Sequence, residues 1–240
     1  MLYLFDGSEN GFLTAFLLAY NDDEALISSK TTQFLLGIEP VFVTTDDKKA
    51  EKAKARLALF DRHFANDLDL LLRCGEDDNE QVAFAYLHLL AQRKRPVRNI
   101  LAEPAVYRAM EYAKKVRFEI HRFHGFIRFI ECESGVLYAP FEPDNDICDL
   151  LVPHFRARLP RFPFVLHDVK RKKASVYDGE TVFLAPLNKA EVLISADETA
   201  WANLWKRYYS AVNIPSRERL KQMIAFMPKR YHKFLPERNY

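Results

Sequence analysis

Glycine and cysteine are scarce in this chain, at 7 and 3 of 240 residues, and no long apolar run occurs. Each shortage removes a class of function. Gly7 and Gly11 stand in FDGSENG after an apolar start, but they do not complete GxGxxG, and no Lys-Ser or Lys-Thr follows, which argues against a nucleotide cradle. Ser8 reads instead as a helix cap. Cys74, Cys132 and Cys148 form no CxxC pair and cannot all be joined, so neither a disulfide framework nor a self-sufficient zinc or iron–sulfur site is indicated. Buried free thiols, with no metal and no cofactor, are the expectation. The apolar run Phe12 to Tyr20 is too short to span a bilayer and no basic leader precedes it, so a cytoplasmic protein without a membrane partner is expected.

What is present is ordinary for a globular protein, with 49% hydrophobic, 28% charged and 13% aromatic residues. The charge is unevenly placed. Residues 1–91 hold 8 Lys+Arg against 16 Asp+Glu and residues 92–240 hold 27 against 17, so a net +2 conceals −8 followed by +10. A basic second part suits an anionic partner such as nucleic acid, while the acidic first third suits a protein contact or plain solvation. LYLFD (2–6) and PVFVTT (40–45) read as strands. Residues 12–20, an Asp46-capped segment to about 64, 66–74 and 78–94 read as helices. Arg93-Lys94-Arg95 before Pro96 marks a helix end, which places a boundary between an acidic, helix-rich mixed unit (1–98) and a basic α+β domain (99–240).

Residues 103–124 read as one long helix. Met110, Ala113, Val116, Ile120 and Phe123 make an apolar stripe, and Glu111, Lys115, Glu119 and Arg122 a charge-paired one beside it. Lys114, Arg117, His121 and His124 then fall on a basic ridge, with Gly125 expected to cap the helix. His121 and His124 share a face as metal ligands do, but the cations Lys114, Arg117 and Arg128 oppose a divalent ion, so phosphate contact is the favoured role. FIRFIEC and VLYAPFE, joined at ESG, read as a hairpin. A helix is expected from about 145 to 159, kinked at Pro153, with Glu142, Asp144 and Asp146 as acids at its start rather than a metal cluster. FVLHDVK and KASVYDGETVFLAPL add strands around an Asp178-Gly179 turn. His167 and Asp168 are neighbours on a strand and point to opposite faces, which rules out a mutual dyad but leaves Asp168 a candidate acid.

The expected fold is α+β: an antiparallel sheet of four to five strands covered by helices at 103–124, 145–159 and 197–226, preceded by the smaller helix-rich mixed unit. Residues 201–240 carry nine Lys+Arg against two acids. Trp201, Leu204, Trp205 and Tyr208 recur at helical spacing and read as core rather than as a base-stacking platform. Arg217, Lys221, Lys229 and Arg230 are left to face outward, on one positive groove edge with Arg128 or Arg171.

Seven stretches, FDGSENGFLTAF, HRFHGFIRF, YAPFEPDNDI, HFRARLP, HDVKRKKASVYDG, LWKRYYSAVNIPSRERL and FMPKRYHKFLPE, cover nearly the whole chain in order. Together they resemble a bacterial family of DNA-repair or DNA-metabolism proteins. In that family the basic C-terminal domain, of unassigned function, also occurs fused to a uracil-DNA-glycosylase-like domain, and its stand-alone form is encoded beside a radical S-adenosylmethionine protein. His232 stands where the closing motif more usually has tryptophan, which leaves Tyr231 and Phe234 as its aromatic positions. The resemblance implies a DNA-binding protein of repair or modification that acts with a radical S-adenosylmethionine partner. The nucleic-acid contacts expected for such a protein are Arg117, His121, Arg128, Arg171, Arg217, Lys221, Lys229, Arg230 and Tyr231. No catalytic residue is assigned, and His121, His124 and Asp168 are the candidates. Two alternatives stay open. One is a hydrolase or lyase on damaged nucleotides, with His121 or His124 as acid or base and Arg128 or Arg171 on phosphate. The other is a non-catalytic adaptor docked through the acidic first third.

Overall fold

The computed structural model describes residues 1–22, 24–30, 39–188, 193–212, 227 and 229–234. Two compact units divide at Arg117/Phe118, beyond the boundary expected near residue 98. The reason is electrostatic as well as steric. Val97 is fully buried, and Arg98 and Arg117 both reach the buried carboxylate of Asp67, at 3.4 and 3.1 Å, so the chain past Arg95 still belongs to the first unit.

The N-terminal unit is built on three short parallel strands in the order β2-β1-β3: β1 Leu2–Leu4, β2 Leu26–Ser28 and β3 Pro40–Phe42. Four helices follow the expected positions closely: α1 Glu9–Ala19, α2 Asp47–Phe60, α3 Phe64–Leu72 and α4 Asn79–Arg93. Ser8 caps α1 by accepting from the Gly11 amide, and Asp46 caps α2 by accepting from the Lys49 amide. At the end of β1, Asp6 accepts from the Ser8 amide and hydroxyl and from the Thr45 hydroxyl, at 2.9, 2.6 and 2.8 Å. These bonds, the Ser8 hydroxyl first, hold its carboxyl below the usual range. A Cβ on Gly11 would lie 2.2 Å from that carboxylate, so glycine is what lets α1 start this close.

Strand β2 escaped the sequence reading because it is three residues long, and side chains of α4 complete its hydrogen bonding. The Ile27 amide donates to the Gln81 side chain at 3.1 Å, Gln81 donates back to the Ala25 carbonyl at 2.9 Å, and the Ser29 amide donates to the buried Glu80 at 2.8 Å. These side chains take the place of a neighbouring strand along the sheet edge.

α5, Pro104–Phe126, runs two residues past the expected end, and Gly125 lies inside it rather than at a left-handed cap. Val106, Ala109, Ala113 and Val116 are fully buried, while Lys114, Arg117 and His121 are exposed. Glu119 departs from the expected solvent-facing stripe, being only 4% exposed.

The C-terminal unit carries a five-stranded sheet in sequence order: β4 Ile130–Glu131, β5 Leu137–Phe141, β6 Phe164–Asp168, β7 Lys173–Tyr177 and β8 Val182–Pro186. All pairs are antiparallel except β5 with β6, which are parallel. A crossover containing the short helix α6, Val152–Arg158, makes that possible. Pro153 stands at the start of α6, where proline is tolerated, instead of kinking a longer helix. One face of the sheet, with Ala139, Phe141, Phe164, Leu166, Ser175 and Tyr177, is buried. Asp178 and Gly179 form the expected turn: Asp178 accepts from the amides of Thr181 and Glu180 and from the Thr181 hydroxyl, and these bonds draw its pKa down to about 2. α7, Ala196–Val212, and a 3-10 helix, Lys229–Phe234, complete the described chain. No helix among the described residues is long and apolar enough to cross a membrane.

Candidate nucleic-acid interface

The expected site residues meet different fates. In the N-terminal unit, Arg117 is exposed along one side, yet its guanidinium pairs with Asp67 at 3.1 Å. Asp67 is wholly buried and also takes Arg98 and the Tyr86 hydroxyl. Arg117 thus neutralises a buried acid, and using it on a phosphate would leave Asp67 undercompensated.

In the C-terminal unit Arg171 turns inward. Its amide and Nη1 donate to Asp168, both at 3.0 Å, and its guanidinium donates to the carbonyls of Pro143 and Asp144. Asp168 is wholly buried beneath it, so these two form a structural pair rather than an acid catalyst and a phosphate ligand. The same loop is held by Glu119, which accepts from the Asp144 amide (2.9 Å), the Asn145 amide (2.8 Å) and the Asn145 side chain (2.6 Å). Lys173 pairs with Asp146 and Lys233 with Glu142, so the expected acids at a helix start are instead ion-paired loop residues.

Tyr231 is 2% exposed. Its hydroxyl donates to Glu119 at 2.7 Å and its ring packs on Phe123, with centroids 4.7 Å apart. It is a core residue and not a stacking surface. Arg217 and Lys221 lie outside the described residues, and Lys229 and Arg230 are described only as backbone of the 3-10 helix.

The histidines do not assemble an acid–base pair among the described residues. His121 is exposed. His124 stacks on His154, with centroids 4.0 Å apart and planes 9° from parallel, and Nε2 of each ring is buried without a hydrogen-bond partner among the described residues. Burial, then His154 and His121, push the His124 pKa down. His167 donates from Nε2 to the Leu187 carbonyl at 2.9 Å, so its Nδ1 accepts from the Tyr138 hydroxyl at 2.6 Å. Burial pushes that phenol's pKa up and keeps it a donor. Cys74, Cys132 and Cys148 are unpaired thiols, each with its pKa raised by burial, which suits packing rather than nucleophilic chemistry.

The feature that sequence reasoning misplaced is on α7. Trp201, Trp205 and Tyr208 are 61, 41 and 55% exposed, with Leu204 beside them, so the stripe read as core is open. With Arg128, Phe129 and Glu198 these residues line a cleft of about 710 Å³, within the range of ligand pockets. Helical spacing correctly put the four residues on one face. No sequence signal distinguished an open face from a packed one, since the exposed Lys206 and Arg207 lie off this face of the helix.

Residues 77–237, from just before α4 onward, match a family described as a domain of unknown function, DUF4130. The chain belongs to the DUF4130 family. Neither a curated protein nor a solved structure matches it. The DUF4130 match takes in the α7 cleft, the Glu119 and Arg171 anchors, and the two helices α4 and α5 that precede the sheet.

Proposed function

We propose that this DUF4130 protein binds nucleic acid through phosphate contacts of its C-terminal unit and serves DNA repair or modification together with a radical S-adenosylmethionine protein. The observation that carries the binding reading is the contrast in how the two units use their cations. Most lysines and arginines of the N-terminal unit are held in ion pairs, for example Lys30 with Asp77, Lys54 with Glu9, Arg73 with Asp69, Arg108 with Asp78 and Lys115 with Glu76. Arg158, Arg161, Lys170, Lys172, Lys206 and Arg207 of the C-terminal unit are exposed and make no ion pair among the described residues. Cations without a carboxylate can neutralise phosphates and release counterions at no cost in broken pairs. The repair setting and the radical S-adenosylmethionine partner rest on the sequence resemblance.

A titration of labelled oligonucleotides at several salt concentrations tests the binding. Affinity should fall linearly on a logarithmic salt scale, by about 0.7 to 0.9 per phosphate neutralised. Binding that is absent, or indifferent to salt, removes this reading. A second reading, a protein adaptor, is favoured by one observation: Val182, Phe183 and Leu184 on β8 are 40, 48 and 58% exposed, an apolar strand of the kind that partners pair with. Pull-down of a stoichiometric protein partner by a chain that does not bind oligonucleotides would favour it.

A further inference from the structure

We infer that the α7 cleft is a seat for unstacked bases, so that the preferred ligand is a single-stranded or locally opened nucleic acid rather than an intact duplex. This rests on the nucleic-acid reading above and specifies its ligand. Four of the seven lining residues are aromatic, Phe129, Trp201, Trp205 and Tyr208, with a single aliphatic, Leu204. Such a wall offers flat π-faces to any base regardless of sequence. Trp201 and Trp205 are four residues apart, so their Cα atoms rise about 6 Å along the helix, and the Trp205 ring lies tilted against Tyr208 with centroids 5.7 Å apart, which makes one aromatic surface.

The charges around the cleft fit the same ligand. Arg128 also lines the cleft, and its guanidinium is held by donating to the carbonyls of Gly125 and Ile127, at 2.8 and 3.2 Å, which gives the site a planar cation. Lys206 and Arg207 are exposed on the sides of α7 turned away from this face and do not line the cleft. The one lining acid, Glu198, accepts from the Glu131 amide at 3.0 Å and so serves to anchor α7 to β4. A cation for the backbone, here Arg128, beside rings on which bases can lie is the arrangement of single-strand binding surfaces. An intact duplex keeps its bases stacked and presents only their edges.

The two tryptophans of the chain are both in this cleft, so intrinsic tryptophan fluorescence reports its occupancy alone. The full chain is titrated with an oligothymidylate or oligouridylate of about 12 nucleotides, with a blunt duplex, and with inorganic tripolyphosphate, while anisotropy of a labelled strand is read in parallel. Saturable quenching by the single strands, with little by duplex or tripolyphosphate, is expected, and the tighter of the two strands assigns DNA or RNA. Trp205→Ala should weaken single-strand binding by roughly 5- to 100-fold, with Trp205→Phe restoring much of it. Binding seen by anisotropy with unchanged tryptophan fluorescence and an unaffected Trp205→Ala overturns this inference and leaves the nucleic-acid reading standing. Equal quenching by duplex also overturns it, as does a signal that follows protein concentration without oligonucleotide, since a second copy then fills the cleft. No oligonucleotide binding by either readout removes both.

Discussion

Replacing Glu119 with glutamine should be among the most damaging conservative substitutions in the C-terminal unit. The carboxylate is 4% exposed and accepts four hydrogen bonds, from the Asp144 and Asn145 amides, the Asn145 side chain and the Tyr231 hydroxyl. Glutamine has nearly the same shape but keeps one acceptor oxygen, and its NH2 group faces donors. Asp144 is exposed, so water can take over its amide, whereas Asn145 and Tyr231 are buried. Losing about two bonds to a charged acceptor, each worth about 1.5–3 kcal/mol, points to a loss of about 3–6 kcal/mol. Urea denaturation followed by circular dichroism measures this, with a midpoint lower by about 1 M or more at unchanged slope. Tyr231→Phe should cost about 1–2 kcal/mol in the native chain and much less in the Glu119→Gln background, because the acceptor of its hydroxyl is already impaired. A loss below about 0.5 kcal/mol for Glu119→Gln, or strict additivity of the two substitutions, would refute the assignment of Glu119 as the shared anchor of the 144–145 loop and the 3-10 helix.

Three more outcomes follow from the same geometry. Arg171→Met strands the wholly buried Asp168 and should cost about 3–5 kcal/mol, with Asp168→Asn added to it recovering part; an undiminished denaturation midpoint for the single variant would contradict the pairing. His124 has a depressed pKa, so the unfolded chain binds its proton first as pH falls; stability from this group is complete above about pH 6.5 and declines below it, down to the folded pKa. Proton NMR should give a midpoint under that of free histidine, and His124→Phe should flatten this part of the stability–pH curve; a midpoint above 6.5 would reverse the sign. Gly11→Ala gains up to about 1 kcal/mol of helix propensity but sets a Cβ 2.2 Å from the triply bonded Asp6 carboxylate, so a net loss of about 1–3 kcal/mol is expected in thermal or urea unfolding, and a net gain would mean that Asp6 yields freely.

Local chemistry was enough to read much of this chain. The starts of α1 and α2 follow from Ser8 and Asp46, whose side chains satisfy amides three residues on, and the Asp178-Gly179 turn follows from a carboxylate bonding its own backbone and a glycine at φ +108. The periodicities of 79–93 and 104–126 likewise belong to their own residues. Tertiary contact decided the rest. Residues 142–147 have the composition of a helix start, yet Glu119, Arg171, Lys173 and Lys233, all distant in sequence, take their amides, carbonyls and carboxylates and hold them as loop. The β5–β6 pair is parallel because the crossover through α6 returns the chain to the same end of the sheet, a choice no strand pattern contains. Arg171 turns inward to Asp168 while Lys170 and Lys172 beside it stay in solvent, and identical positive charges in one run thereby acquire different roles. The same limit governs α7: spacing establishes that Trp201, Leu204, Trp205 and Tyr208 share a face, but whether that face is core or an open site depends on what the fold lays against it, and periodicity carries no information about the neighbour.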